Sequence, residues 1–322
     1  MERLPVRQIV MPTPYAVGPV NAYLIEADPV TLIDAGIDTP QARNAMWLEL
    51  HAAGYFPESI EQVIVTHGHP DHYGLIAEIQ EVSGATVYFP AREIERVRDK
   101  QMLFQVGKLL VGAGMPLDLL FKMDQERRRD PHGNALRDSE VVPIEEGKIF
   151  HLQSELGDFT LESLHMPGHT GGHMVFFEPR TRSLFAGDQL LPDTSPNPLL
   201  EPSLDDPSER RRSLKEYLVS LEKMAALDAT VAFPGHGDVI EDPGALITST
   251  IEHHSKRKVR IAGMLSDQPR SPYELAQQMY PNAGGYDVFL SVSEVIAHLD
   301  LIVDDSDAVV TERDGVTYYQ AT

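Results

Sequence analysis

The stretch VIVTHGHPDHYG, residues 63–74, places His67, His69, Asp71 and His72 directly after an apolar, β-branched run. Such a run reads as a buried strand, and the Gly and Pro that follow read as its passage into a loop. Positions 67, 69 and 71 then project in related directions, with His72 next on the turning backbone. Imidazole and carboxylate donors suit zinc, iron and manganese, at roughly 2.0–2.2 Å for zinc. A lone H-x-H says little, because histidines often end strands as solvated groups. H-x-H-x-D-H behind a buried strand is far more specific.

MPGHTGGH (166–173), LFAGDQLL (184–191) and FPGHGDV (233–239) each put a further potential donor in a glycine-bearing loop after an apolar strand. Glycine allows the close backbone approach such loops need. In α/β layers, loops leaving strand ends gather ligands, so donors distant in sequence can converge.

Around these motifs, strand and helix patterns alternate, which predicts α/β layering. VNAYLIEADPVTLIDAG (20–36) reads as a hairpin turning at Asp28 and Pro29. A helix follows, capped by Thr39, with Pro40 first and Gly54 at its end. The strand QVIVTH, a helix near GLIAEIQEVSG and the strand TVYFP come next. From 91 to about 130 the pattern turns helical, divided into two or three pieces by Gly107, Gly112, Gly114 and Pro116. Strand patterning resumes with VVPIEEGKIFHL, so this segment is an insertion within the domain. After about 245 the order is helix, helix, helix and hairpin. Ser271, Pro272 and Glu274 make a capping box, and Asp314-Gly315 makes the hairpin turn. That order is the order of a winged helix. The expected division is residues 1–245 and 246–322.

The chain has 322 residues, with 27 basic and 49 acidic side chains and a formal charge of −22. This excess repels polyanions and argues against general nucleic-acid or anionic-membrane binding. With no cysteine, disulfides and thiolate ligands are excluded. The opening MERLPVRQIVMPTPYAVG lacks a signal-peptide h-region. The apolar stretch 102–121 is interrupted by Gln105, Lys108, Pro116 and Asp118, so no membrane span is expected and a cytoplasmic location fits.

These motifs resemble the metallo-β-lactamase superfamily, whose ligand-bearing elements occur in the expected order between residue 1 and about 245. The resemblance implies a four-layer αβ/βα sandwich, here with the helical insertion and a C-terminal winged-helix module. It also implies that His67, His69 and His169 hold one metal, that Asp71, His72 and His236 hold a second, and that Asp188 bridges both. Two divalent ions, zinc foremost with iron or manganese as alternatives, share a hydroxide and polarise a carbonyl or phosphoryl oxygen. Proton delivery to the leaving group then falls to Asp71 or to metal-bound water. Asp34, in LIDAG, matches a position that supports the ligands from behind, with capping of the next loop as the other reading. His173 is expected to pack or to support. His51, His132, His151, His165, His253, His254 and His298 read as solvated or core histidines.

Superfamily membership fixes chemistry better than substrate. The motif set is most similar to the glyoxalase II-like hydrolases, which implies cleavage of a thioester or similar small activated acyl compound, with a lactone as a further substrate class. The tail resembles the beta-lactamase-like protein 2 branch, which implies a metal-dependent endoribonuclease. From residue 267 onward, however, Arg270 and Arg313 are the only basic side chains among many acidic ones, so the tail reads as a structural or homodimer-forming lid. Oxidation at a single iron, as in persulfide dioxygenase relatives, and a non-catalytic binding role complete the alternatives. The run KRKVR (256–260) reads either as a contact for one anionic group or as a solvated helix face. The insertion reads as an apolar cap over the metal cleft or as a surface between subunits.

Overall fold

The computed structural model describes residues 4–99, 101–127, 136, 139–206 and 209–322. The first sheet runs in the order β1 (Val6–Met11), β2 (Val20–Ile25), β3 (Thr31–Ile33), β4 (Gln62–Ile64), β5 (Thr86–Pro90) and β6 (Val141–Ile144). It is antiparallel as far as β3 and parallel from there on. The parallel part needs crossover helices: α1 (Pro40–Ala52) before β4, then α2 (Pro70–Tyr73) and α3 (Ile76–Ser83) before β5. α1 starts as expected, with Thr39 accepting the Ala42 N–H.

Between β5 and β6 lies the insertion, α4 (Ala91–Arg98), α5 (Met102–Gly112) and α6 (Leu117–Arg127). Gly107 does not divide it, because α5 runs straight through that position; the breaks fall after Arg98 and at Gly114–Pro116. The second sheet has the order β11 (Val231–Pro234), β10 (Ser183–Gly187), β9 (Met174–Glu178), β8 (Gly157–His165), β7 (Ile149–Ser154), with α7 (Ser213–Ala226) between β10 and β11. α8 (Pro243–Ala262), α9 (Pro272–Met279), α10 (Tyr286–Asp304) and the hairpin β12 (Ala308–Arg313) with β13 (Val316–Ala321) follow in the order read from the sequence. The capping box at Ser271 and Glu274 is formed.

Period-two alternation produces the four layers. In β2, Val20, Ala22 and Leu24 face α1 and α3, while Tyr23 and Ile25 face the second sheet. In β10, Phe185 meets them from the other side, while Leu184 and Ala186 turn outward to α7 and α8. Another apolar core joins Leu110, Ala113 and Met115 of the insertion to Leu275, Val292, Val295 and Leu299 of the C-terminal helices. The insertion is therefore anchored on the C-terminal part of the chain. Leu103, Phe104, Leu117 and Phe121 remain exposed on it.

The run 256–260 is spent mostly within the chain: Lys256 pairs with Glu252, Arg257 with Glu294 and Lys258 with Asp305. This supports the helix-face reading over an anion contact. No helix among the described residues is long and apolar enough to cross a membrane.

Candidate metal centre

The strand expected to reach His67 leaves its ladder at Ile64. The cause is local. The Thr66 N–H donates to Asp34 Oδ1 at 2.8 Å, and the Thr66 hydroxyl donates to Oδ2 at 2.8 Å. The chain is thereby turned off the sheet, and Pro70 starts α2 at once, carrying Asp71 and His72. His169 and His173 lie between β8 and β9, Asp188 directly follows β10, and His236 follows β11 after Gly235. Backbone pairing of Val20 with His236, and the Asn21 N–H bonded to the Gly235 carbonyl at 2.7 Å, hold the two sheets together at this end.

The structure brings the predicted donors into two adjoining groups, His67, His69, His169 with Asp188, and Asp71, His72 with His236. His69 Nδ1 lies 3.1 Å from His67 Nε2 and 3.0 Å from His169 Nε2. Ligands on a tetrahedral ion at about 2.0–2.1 Å stand only a little further apart, roughly 3.3 Å. Asp188 Oδ2 lies 3.5 Å from His169 Nε2 and 3.6 Å from His236 Nε2, and its Oδ1 lies 3.4 Å from His72 Nε2. One carboxylate thus faces both groups. Asp71 Oδ2 is 3.4 Å from His236 Nε2.

Three of the rings are aimed from behind. His72 Nδ1 meets Asp34 Oδ2 at 2.8 Å, His236 Nδ1 meets the Pro19 carbonyl at 2.8 Å and His67 Nδ1 meets Thr66 Oγ1 at 3.0 Å. These contacts leave the Nε2 atoms for the centre. Asp34 itself sits at φ 59°, a left-handed conformation that Asp tolerates better than most residues. His173 stacks on His67 at 4.8 Å between ring centroids, and its Nε2 accepts the Asp188 N–H at 3.2 Å. It therefore positions rather than faces the donors.

Burial, reinforced by neighbouring imidazoles, pushes His67, His69 and His173 well below the usual histidine range, so they stay neutral. Burial acts the same way on His72, but Asp188, Asp34 and Asp71 outweigh it and raise its pKa. Asp188 is held ionised by His72, His236 and His169 against its own burial. A cation fits this donor set. His72 Nε2 and Asp188 Oδ1 are buried with no hydrogen-bond partner, a costly state that an ion between them would relieve.

His254, Glu294 and His298 form a further buried group that sequence spacing did not connect, since they lie on α8 and α10. Its hydrogen bonds are complete. His298 Nδ1 donates to the Glu294 carbonyl at 2.8 Å, His254 Nδ1 donates to His298 Nε2 at 3.3 Å, and Ser195 Oγ donates to His254 Nε2 at 2.7 Å. With every ring nitrogen engaged, these are core histidines. His51 packs edge-on to Phe56 and His165 bonds to the Gly171 carbonyl, away from the donors; His132 lies outside the described residues. The residue missed altogether is Glu93 on α4. It is wholly buried, and its carboxylate reaches both ligand-bearing loops.

The chain is 34% identical over 320 residues, 97% of its length and 96% of the relative's, to a "Probable metallo-hydrolase YqjP" of Bacillus subtilis (strain 168). It is 25% identical over 243 residues to an "Atrochrysone carboxyl ACP thioesterase" of Aspergillus fumigatus, covering 75% of this chain and 58% of that one. It superposes with TM-score 0.80 and 25% identity on a metallo-beta-lactamase family protein of Thermus thermophilus, TTHA1429, over 99% of both chains. The family model described as "Metallo-beta-lactamase superfamily" matches residues 15–236, taking in every donor from His67 to His236, and the chain belongs to that superfamily.

Proposed function

We propose that this chain is a binuclear metal-dependent hydrolase, with a thioester or similar small activated acyl compound as its substrate. The observation that carries the reading is Asp188, one buried carboxylate facing two sets of nitrogen and oxygen donors. His67, His69 and His169 would hold one ion, Asp71, His72 and His236 the other, and Asp188 would touch both. Bound divalent metal supplies Lewis acidity toward an acyl oxygen and acidifies water. The chain's own part is orientation: Asp34, Thr66 and the Pro19 carbonyl fix the rings, and the neutral state of His67 and His69 keeps them competent as donors. Asp71, next to His236, would pass a proton to the departing group. The absence of cysteine leaves an N/O donor set open to zinc, iron and manganese, with zinc our first choice.

Three further observations favour a small acyl substrate over RNA. The charge of −22 opposes a polyanion. Lys256, Arg257 and Lys258 of α8 are bound to the chain's own carboxylates. The insertion exposes Phe104 and Phe121, apolar surface of the kind an acyl chain can use. The thioesterase name of one relative points the same way.

Elemental analysis of the purified protein and of His169→Ala, with hydrolysis assays on S-lactoylglutathione, acyl-coenzyme A, a lactone and single-stranded RNA, tests the reading. It expects about two ions per chain, lost together with thioester hydrolysis in the variant. RNA cleavage without thioester cleavage would replace it with the nuclease reading. At most one ion under metal-replete conditions would remove the binuclear centre.

A further inference from the structure

Glu93 lies on α4, the first helix of the insertion, and is wholly buried. Its Oε2 accepts the Gly68 N–H at 3.0 Å, and its Oε1 accepts the Gly172 N–H at 2.7 Å. Gly68 stands between His67 and His69. Gly172 stands between His169 and His173. A single carboxylate therefore ties together the two loops that carry the first donor group. Charge-assisted bonds of this kind are stronger than neutral ones, and stronger still away from water.

The sequence at the far end of each bond is fitted to this contact. A Cβ on Gly68 would come within 2.7 Å of Glu93 Oε2, and one on Gly172 within 2.8 Å of Oε1. Both glycines let the carboxylate reach the backbone. The carboxylate is in turn held by a chain of buried charges. Arg96 Nε lies 3.2 Å from Glu93 and 3.4 Å from Glu201, and Arg211 joins Glu201 at 2.9 Å and Glu216 on α7. Arg211 also donates to the Gly168 carbonyl at 3.3 Å, one residue before His169. With these partners the Glu93 carboxyl stays ionised, although burial acts to raise its pKa.

We infer that Glu93 is a positioning residue of the metal centre, the tie by which α4 sets the spacing between His67, His69 and His169. The insertion then has a task at the site besides its packing on the C-terminal helices. This inference rests on the metal-binding part of the proposed function and is independent of the substrate.

The test separates the two donor groups. In a His236→Ala background the first group alone holds a strong ion; in a His169→Ala background the second group is the better one. Zn²⁺ affinity is measured in each by competition with a chromophoric chelator, with the d–d spectrum of the Co²⁺ form as a readout of ligand geometry. Removing a residue that orients metal ligands costs about 10–100-fold in affinity. Glu93→Gln is therefore expected to weaken Zn²⁺ by that factor and to shift the Co²⁺ spectrum in the His236→Ala background, with little change in the His169→Ala background. Gly68→Ala, whose Cβ would meet the Glu93 carboxylate and the Val97 side chain and which leaves the charge in place, should do the same if Glu93→Gln fails to fold. Equal weakening in both backgrounds would make Glu93 a general structural residue, and unchanged affinity in both would remove it from the centre; either overturns the inference. Wild-type protein that binds Zn²⁺ with these effects but hydrolyses no ester-type substrate would overturn the proposed reaction and leave Glu93 in place.

Discussion

His72 Nδ1 lies 2.8 Å from Asp34 Oδ2, and both side chains are buried. Asp34 also receives the Thr66 N–H and hydroxyl, so one carboxylate aims a donor ring and turns the chain off its strand. In Asp34→Asn the amide either presents N–H to the His72 ring or loses Thr66. Metal affinity should fall about 10–100-fold, measured by chelator competition, with the circular dichroism spectrum retained. Wild-type affinity in Asp34→Asn would show that His72 needs no such orientation.

Asp188 faces both donor groups, whereas His169 and His236 each face one. Asp188→Asn should therefore lower the occupancy of both ions, while His169→Ala and His236→Ala each chiefly lower one. Metal content per chain after dialysis against buffered Zn²⁺ reads this directly. Loss of a single ion in Asp188→Asn would end its bridging role.

Arg211 is almost fully buried and neutralises Glu201 and Glu216. Arg211→Met takes the partner from Glu216, which is partly exposed, and leaves Glu201 with Arg96 alone, so the loss should lie toward the lower end of the about 3–5 kcal/mol that breaking a buried pair costs. Urea denaturation of metal-free protein is the measurement. A loss below about 1 kcal/mol would mean that water or Arg96 replaces it, as at an exposed pair.

Acid should destabilise the fold through His254. Burial, with a smaller contribution from His298, lowers its pKa from the ordinary 6.5 to about 3. Above pH 6.5 both folded and unfolded forms are neutral, so this residue adds no pH dependence. Below 6.5 the unfolded chain takes up a proton that the folded chain refuses, and stability falls until about pH 3. One such proton contributes a slope of at most about 1.4 kcal/mol per pH unit. His254→Gln, compared with wild type by urea midpoints at about pH 7 and about pH 5 in metal-free protein, should lose less stability on acidification. Parallel losses would place the titration elsewhere.

The exposed apolar face of the insertion gives a prediction about selectivity. α5 cannot be excised, because Leu110, Ala113 and Met115 belong to the core shared with α9 and α10. Phe104→Ser with Phe121→Ser alters only the surface. If that surface meets the acyl group, KM should rise more for long acyl thioesters than for short ones, with kcat little changed. A uniform response across chain lengths would assign the face to some other contact.

The candidate donor set was legible in the sequence because the capacity to ligate is a property of residue type and short spacing. His67, His69, Asp71 and His72 fall within one strand-to-loop passage, and His169, Asp188 and His236 each sit in a glycine-bearing loop after an apolar strand run. The layered fold was legible in its apolar strand runs separated by helical patterns; that β2 and β10, buried at every position, send alternate side chains into two different cores was decided by packing. Tertiary structure alone decided the roles that depend on what a helix packs against. AREIERVR, the sequence of α4, reads as a charged surface helix, and nothing local marks Glu93 as different from Glu95. Glu93 is buried and Glu95 is exposed because of where the loops at Gly68 and Gly172 lie. His254 and His298 likewise became a satisfied pair only when α8 met α10. A sequence carries the chemistry of its side chains and the periodicity of its backbone; which buried charge meets which backbone N–H is settled by long-range packing, for which the chain has no local signature.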